Sequence, residues 1–480
     1  METLQRLHNR GSVSTVYDID NSLKLEANNS ENLYRNLHAS TSTTKFTHSA
    51  WYKRTELGSS MLLYMRGVAG NESVFLRTNG TADTLQVDIG AGGTNSRSFT
   101  TQYVRDTSAW YHLVLAVDTT QSTATDRFKL YINGNLITDY SSRNNPSQNF
   151  AMETSSAQHR YGSYNNTDGY APFSGYIAEC NYIDGLYLDP TSFGEFDEDS
   201  GIWKPKQYTG SYGTGGYYLD FSDSSDLGAN AKGDDVNFTL RNIAAADQAT
   251  DTPTNNFATF NPLDTFTGNF VISNGATKIQ QSSGNSGYKT HCATIGVTVG
   301  KWYAEFKAGT GWGQGSVGVN QLESSKDWEE GYIGQYSNST AIGMGYMNDG
   351  QFARNGGTGA IGSSYTAGDI IGIALLINAN GTGFMGMSKN GTWQNSQDPS
   401  SGTTGMLGLY YGNALPDGMF HTFAVTTRHD NGPWLANFGG FNGFTVSSGN
   451  SDANGYGNFE YAVPTGYYAL CTKNLAEFGG

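Results

Sequence analysis

The sequence predicts an all-β protein, with two antiparallel β-sandwich domains of jelly-roll type in tandem. Three observations carry that prediction. The chain of 480 residues holds 62 Gly, 30 Tyr and 24 Phe but only 15% charged residues, well under the roughly 25% of ordinary soluble chains. Two segments combine alternating apolar residues with an Asn-Gly turn, the strongest short signal for a hairpin. Long apolar patterns with a 3.6-residue period are scarce.

The elements follow in order. Residues 1–45 read as an N-terminal arm with first strands. Residues 46–225 read as the first sandwich. Within it Trp110 to Val117 is apolar enough for a strand buried on both faces. Phe128, Leu130 and Ile132 alternate with Lys129 and Tyr131, and Asn133-Gly134 turns the chain. Residues 226–264 are polar and rich in turn formers, which predicts a linker. Asp235 to Leu240 alternates like one further strand inside it. Residues 265–480 read as the second sandwich. Its strands are expected at Lys301 to Phe306, Ile370 to Ile377 and Phe423 to Thr427, with a second hairpin turned by Asn390-Gly391. No 20–50-residue repeat points to a solenoid or propeller.

Net charge is −15, with a pI near 4.9, and both halves are acidic. Nucleic-acid binding needs a basic footprint, and none is present. An anionic membrane surface would repel the chain, and no apolar run approaches the roughly 18 residues of a membrane span. The first ten residues lack the apolar core of a secretory signal. Cys180, Cys292 and Cys471 are far apart and odd in number, so they are expected as free, buried thiols made in a reducing cytosol.

Candidate chemistry is sparse. The run Glu195-Phe196-Asp197-Glu198-Asp199 places Glu195 and Asp197 on one face of an extended chain, as paired glycosidase carboxylates require. Ser200 stands where the closing carboxylate would be, so a solvated acidic turn is expected. Asp220, Asp223 and Asp226 would suit calcium as a cofactor, but no glutamate closes the loop as in an EF-hand. No H-x-x-x-H or C-x-x-C pair suggests zinc. The catalytic set is therefore expected to be empty. Aromatic rings can stack on sugar C–H faces while Asn, Asp and Gln take the hydroxyls. Trp51, Trp393 and Trp434 belong to this aromatic supply. Two loops have the full mixture: Tyr161, Tyr164 and Tyr170 in the first, Trp328, Tyr332 and Tyr336 in the second. Trp312 joins them as a third aromatic candidate for glycan contact.

Three resemblances extend this reading. Trp110-Tyr111-His112-Leu113-Val114, followed by Leu130-Tyr131-Ile132-Asn133-Gly134, resembles the concanavalin A-like lectin/glucanase superfamily in its laminin-G style. Gly300 to Phe306, Gly315 to Val319, Gly368 to Ile373 and Ser388 to Gly391 together resemble the core of a SPRY domain. The stretches 188–206, 217–223, 255–263 and 464–475 resemble those of tailed-phage fibre-like virion proteins. That last resemblance implies a tail fibre or receptor-binding protein at the virion surface, made in the host cytoplasm. Its partners would be other virion proteins, further copies of itself (a homotrimer in such fibres, with no heptads here to build it) and host surface polysaccharide. A capsid decoration or head fibre is the second reading, and a polysaccharide-cleaving tailspike the third.

Overall fold

The computed structural model describes residues 17–36, 40–68, 71–90, 96–152, 157–164, 171–233, 236–263, 270–282, 287–311, 314–322, 331–335, 343–409, 419–428 and 432–479. The described part is almost entirely β, with a short helix at Thr472–Phe478. It divides into two units, one reaching Thr254 and the other starting at Asn255.

The first unit is two eight-stranded antiparallel sheets. One runs Asn135–Leu136, Phe128–Ile132, Tyr111–Asp118, Lys45–Arg54, Gly175–Asp184, Ser22–Leu25 and Gln248–Ala249, with Tyr217–Leu219 also on Gly175–Asp184. The other runs Tyr140–Ser142, Ser96–Tyr103, Thr84–Ile89, Asn71–Asn79, Leu62–Val68, Gln158–Tyr161, Asn32–Asn36 and Thr239–Arg241. Leu113, Leu115 and Val117 alternate into the core with Leu130, Leu76, Val87 and Ile177. The first hairpin turns at Asn133-Gly134 with φ of 46° and 78°. Two positive φ values in succession belong to the turn whose twist matches the flanking strands.

The second unit has a nine-stranded and a six-stranded sheet. Gly300–Ala308 pairs along its length with Ile370–Ile377, and both are almost wholly buried. The second hairpin joins Gly383–Lys389 to Thr392–Trp393 through Asn390-Gly391. The six-stranded sheet runs Tyr288–Cys292, His421–Arg428, Ser316–Gln321, Met344–Met347, Gln351–Arg354 and Gly357–Ala360. The three cysteines are free and buried.

The stretch 226–264 is not a linker. Leu227 and Phe238 are buried in the first core, and Thr239–Arg241 pairs with Asn32–Asn36. Asp251 is buried and bonds Lys53 at 2.7 Å. Phe257, Ala258 and Phe260 are buried in the second unit, with bridges to Cys471 and Ala293. The composition is that of a connector, but a few apolar residues anchor it on both sides of Thr254. Of the strand expected from Asp235 to Leu240, Thr239 and Leu240 lie in the strand Thr239–Arg241, residues 236–238 are not in a strand, and Asp235 lies outside the described residues.

Candidate functional site

A cleft of about 270 Å³ opens at one edge of the first sandwich. The strand Ser96–Tyr103 pairs with Tyr140–Ser142 only through Phe99 and Thr100, so its last three residues run past that partner. Thr101 donates its N–H to the Asp139 carbonyl at 3.2 Å, tying this overhang to the chain leaving the first hairpin. Tyr103, Gln102 and Thr101 form one wall. Ile132, Asn135, Leu136, Ile137, Thr138 and Asp139 form the other. Tyr103 is 58% exposed and Leu136 44%. The Arg105 guanidinium lies 5.6 Å from the Tyr103 ring centre and pairs with the buried Asp83, which holds the ring in place. An exposed aromatic beside amide, carboxylate and hydroxyl groups is a surface that can stack a sugar ring and take its hydroxyls.

A second aromatic site lies on the outer face of the six-stranded sheet. Register pairs Tyr288 with Arg428 and Thr290 with Thr426, and Ser316 with Thr426 on the other side. Alternation places Thr290, Thr426 and Ser316 in one row on the face away from the core, joined by hydroxyl bonds of 3.1 and 3.0 Å. The chain at 331–333 covers this row: the Gly331 carbonyl accepts from Thr290 and the Ile333 N–H donates to Thr426. The next row is Tyr288, Arg428 and Gln314. Arg428 sits 4.8 Å above the Tyr288 ring and donates through Nη1 to the Gln314 Oε1 and the Tyr288 hydroxyl. Tyr332 meets Tyr288 edge-on at 5.2 Å.

The predicted aromatics fall into three groups. Tyr332 belongs to this second site. Tyr164 is half-buried against Phe75 and lines neither site. Tyr161 is fully buried, and its hydroxyl meets His48 Nε2 and the Tyr217 hydroxyl at 3.0 Å each. It is a core residue, and its expected glycan contact is corrected. Tyr170, Trp312, Trp328 and Tyr336 lie outside the described residues.

The acidic run is a hairpin turn. Gly194–Phe196 pairs with Trp203–Pro205, Asp197 caps Ser200, and Lys204 reaches Asp197 at 3.3 Å and Glu195 at 3.4 Å. The three calcium candidates are also turn caps. Asp220 accepts from Ser222, Asp223 from Ser225, and Asp226 from Gly228 and Asn237. The Ser225 hydroxyl and amide hold the Asp223 carboxyl below the usual range. Among the described residues no three His, Cys, Asp or Glu side chains gather in a metal-holding group.

Among the described residues two hydroxyl–imidazole pairs exist by distance: Ser49 Oγ lies 2.8 Å from His112 Nε2, and Thr427 Oγ1 lies 3.2 Å from His291 Nε2, both buried. The Trp203 indole donates to His112 Nδ1 at 3.0 Å. That bond assigns the ring proton to Nε2, so the histidine donates to Ser49 instead of drawing its proton away. Burial holds His112 down at about 3, so it stays neutral.

A feature that no motif announced is Glu179. It sits at a register shift in Gly175–Asp184, with φ of 50°. It is buried and accepts from the Tyr17 and Tyr218 hydroxyls at 2.7 Å each. Burial pushes its carboxyl up to about 7 against the opposing effect of those two bonds. In sequence its only trace is a lone acid in the apolar run from Ile177 to Cys180. The cleft was harder to read: Tyr103 ends one strand and Asp139 lies 36 positions on, and only pairing brings them together.

Residues 27–185 match the family model described as the concanavalin A-like lectin/glucanases superfamily, in its Laminin_G_3 form. No curated protein matches the sequence. Among solved structures, a human SPRY domain is 19% identical, over 35% of this chain and 94% of that one, with a TM-score of 0.25. A heptameric SAP-like pentraxin from Limulus polyphemus is 12% identical, over 36% and 80%, at 0.27. A TRIM65 PSpry domain is 17% identical, over 38% and 91%, at 0.26. The family description spans lectins and glucanases, so it allows binding and hydrolysis alike.

Proposed function

We propose that this chain is a non-catalytic glycan-binding protein of a tailed-phage virion, a tail fibre or receptor-binding protein that recognises host surface polysaccharide. The observation that carries the binding part is the cleft, where the exposed Tyr103 ring stands among Gln102, Asn135, Thr138 and Asp139. The lectin side of the matched family description supports it. The absence of catalysis is supported by the capped acidic turn and by a His112 that donates to Ser49. The virion setting is supported by the fibre-like stretches 188–206, 217–223, 255–263 and 464–475. On this reading the chain is made in the host cytoplasm and displayed on the virion surface as a homo-oligomer, alongside other virion proteins.

The test is a glycan array followed by adsorption to host cells, with the wild type and Tyr103→Ala. Binding of an envelope glycan that drops by roughly tenfold in Tyr103→Ala is expected, since the exposed ring supplies the stacking face of the cleft. No binding to host envelope material, or sugar release by the purified protein, overturns the proposal. Localisation on the head lattice of an intact virion overturns its tail assignment.

A further inference from the structure

We infer that the cleft at the edge of the first sandwich takes an amino sugar with a free ammonium group, which docks on the Asp139 carboxylate while the sugar ring lies against Tyr103 and Leu136. This inference rests on the glycan-binding reading and adds the ligand class. The argument starts from Asp139. It is exposed, and it holds the Thr101 N–H and hydroxyl through its main-chain carbonyl. Its carboxylate makes no ion pair and no hydrogen bond among the described residues. No Lys or Arg lines the cleft. Arg105 stacks on one face of the Tyr103 ring and is paired with the buried Asp83. The charge that the lining offers a ligand is therefore a single negative one, on an open carboxylate.

The other polar groups suit the same ligand class. Gln102 donates an amide N–H to the Tyr103 carbonyl at 3.4 Å, and Asn135 donates one to the Asn133 carbonyl at 3.0 Å. The Thr101 hydroxyl donates to the Asp139 carbonyl at 3.4 Å. Donors are spent on the main chain, while the Gln102 and Asn135 side-chain oxygens and the Asp139 carboxylate remain as acceptors. An ammonium only donates, so it complements such a lining. A sugar acid would meet Asp139 as a like charge, and an N-acetyl group brings a carbonyl that needs a donor. Tyr103 and Leu136, both exposed, supply the apolar face for the C–H side of the ring. The chain's net charge of −15 favours the approach of a cationic oligosaccharide. An oligolysine could use Asp139 alone; the exposed ring beside Leu136 favours a flat pyranose.

The experiment is titration calorimetry of the full chain at mildly acidic pH, where the amines are protonated. The probes are a short chitosan oligomer, its fully N-acetylated counterpart, a neutral cello-oligosaccharide of equal length, and oligolysine. The chitosan oligomer is expected to bind roughly tenfold more tightly than each of the others, as one charge-assisted contact supplies. Asp139→Asn keeps the side-chain shape and the main-chain bonds to Thr101; it is expected to abolish that preference with an unchanged melting temperature. Tyr103→Ala is expected to weaken every sugar alike. Equal binding of the chitosan and neutral oligomers, a preference that survives Asp139→Asn, or oligolysine binding as tight as chitosan overturns the inference. In each of these cases Tyr103-dependent glycan binding leaves the underlying reading standing. Absence of all glycan binding removes both.

Discussion

In the first sandwich the Asn133-Gly134 turn lies under the Trp203 ring, and in the second the Asn390-Gly391 turn lies beside Tyr461. Asn133 Oδ1 accepts the His112 N–H at 2.8 Å, and Asn390 Oδ1 accepts the Ile370 N–H at the same distance. Each sandwich also buries one glutamate whose carboxyl is pushed up to about 7, Glu179 and Glu305. The devices match, and their backing differs. Trp203 is buried and fixed by its bond to His112, whereas Tyr461 is only partly buried. Glu179 sits on a strained bulge and is held by two hydroxyls, which can rotate. Glu305 sits in regular strand and is held by the Glu460 and Tyr461 backbone amides at 2.8 Å, with the Tyr303 hydroxyl at 3.0 Å. The same buried acid is therefore adaptable in one domain and rigidly specified in the other.

The largest expected effect is on pH dependence. Unfolded glutamate releases its proton near 4.5, and both buried carboxyls hold theirs to about 7, because burial disfavours the charge. The folded state thus binds the proton more tightly. The associated stability is fully present below pH 4.5, is lost as pH rises towards 7, and stays lost above it. Each group contributes up to about 3 kcal/mol across that window. Asp118 and Asp369 are held low, so their contribution is lost only under more acidic conditions. Burial holds His48, His112, His159, His291 and His421 neutral, so their contribution has the opposite sign and is gained as pH rises through about 6.5. Calorimetry from pH 5 to 8 should therefore show the melting temperature of the double variant Glu179→Gln/Glu305→Gln rising more with pH than that of the wild type. Parallel profiles break the claim that these carboxyls are protonated in the fold.

The turn glycines come next. A Cβ at Gly134 would lie 2.4 Å from Trp203 Cε3, and one at Gly391 would lie 2.6 Å from Tyr461 Cδ1. Both positions also have φ of 78°, which costs an alanine about 1 kcal/mol. Trp203 is hemmed in further by Gly194, where a Cβ would lie 2.4 Å from its Cζ2, and by the stacked His112 ring and the edge-on Phe196 ring. It cannot move aside, so Gly134→Ala is expected to cost about 3 kcal/mol. Tyr461 can swing outward, so Gly391→Ala is expected to cost about 1 kcal/mol. Equal losses in chemical denaturation would show that the two rings are equally free.

Much of this architecture was legible from local pattern. Alternation in Phe128 to Ile132 and the two Asn-Gly pairs report directly on strands and turns, because period and φ are local properties. The stretch 226–264 misled because its composition is dominated by turn formers, while its few apolar residues, Leu227, Phe238, Phe257 and Phe260, do the anchoring. Tyr161 misled for a related reason: a tyrosine among Gly, Ser and Asn looks exposed, yet the last position of a strand can still point inward. The cleft and the Arg428 row depend on which strands become neighbours, and that information is spread over 39 and 141 positions of chain between their ends.

The smallest difference separates the two glutamates directly. Glutamine keeps the size of glutamate but replaces one acceptor oxygen with an NH₂ donor. At Glu305 each oxygen faces a backbone N–H that cannot turn away, so Glu305→Gln sets donor against donor and is expected to cost about 2 kcal/mol. At Glu179 each oxygen faces a tyrosine hydroxyl that can rotate and accept, so Glu179→Gln is expected to cost under about 1 kcal/mol. Both variants should also remove their share of the pH slope between 5 and 7. If Glu179→Gln proves the costlier change, the bulge depends on the charge of Glu179, and the adaptable site is the one in the second sandwich.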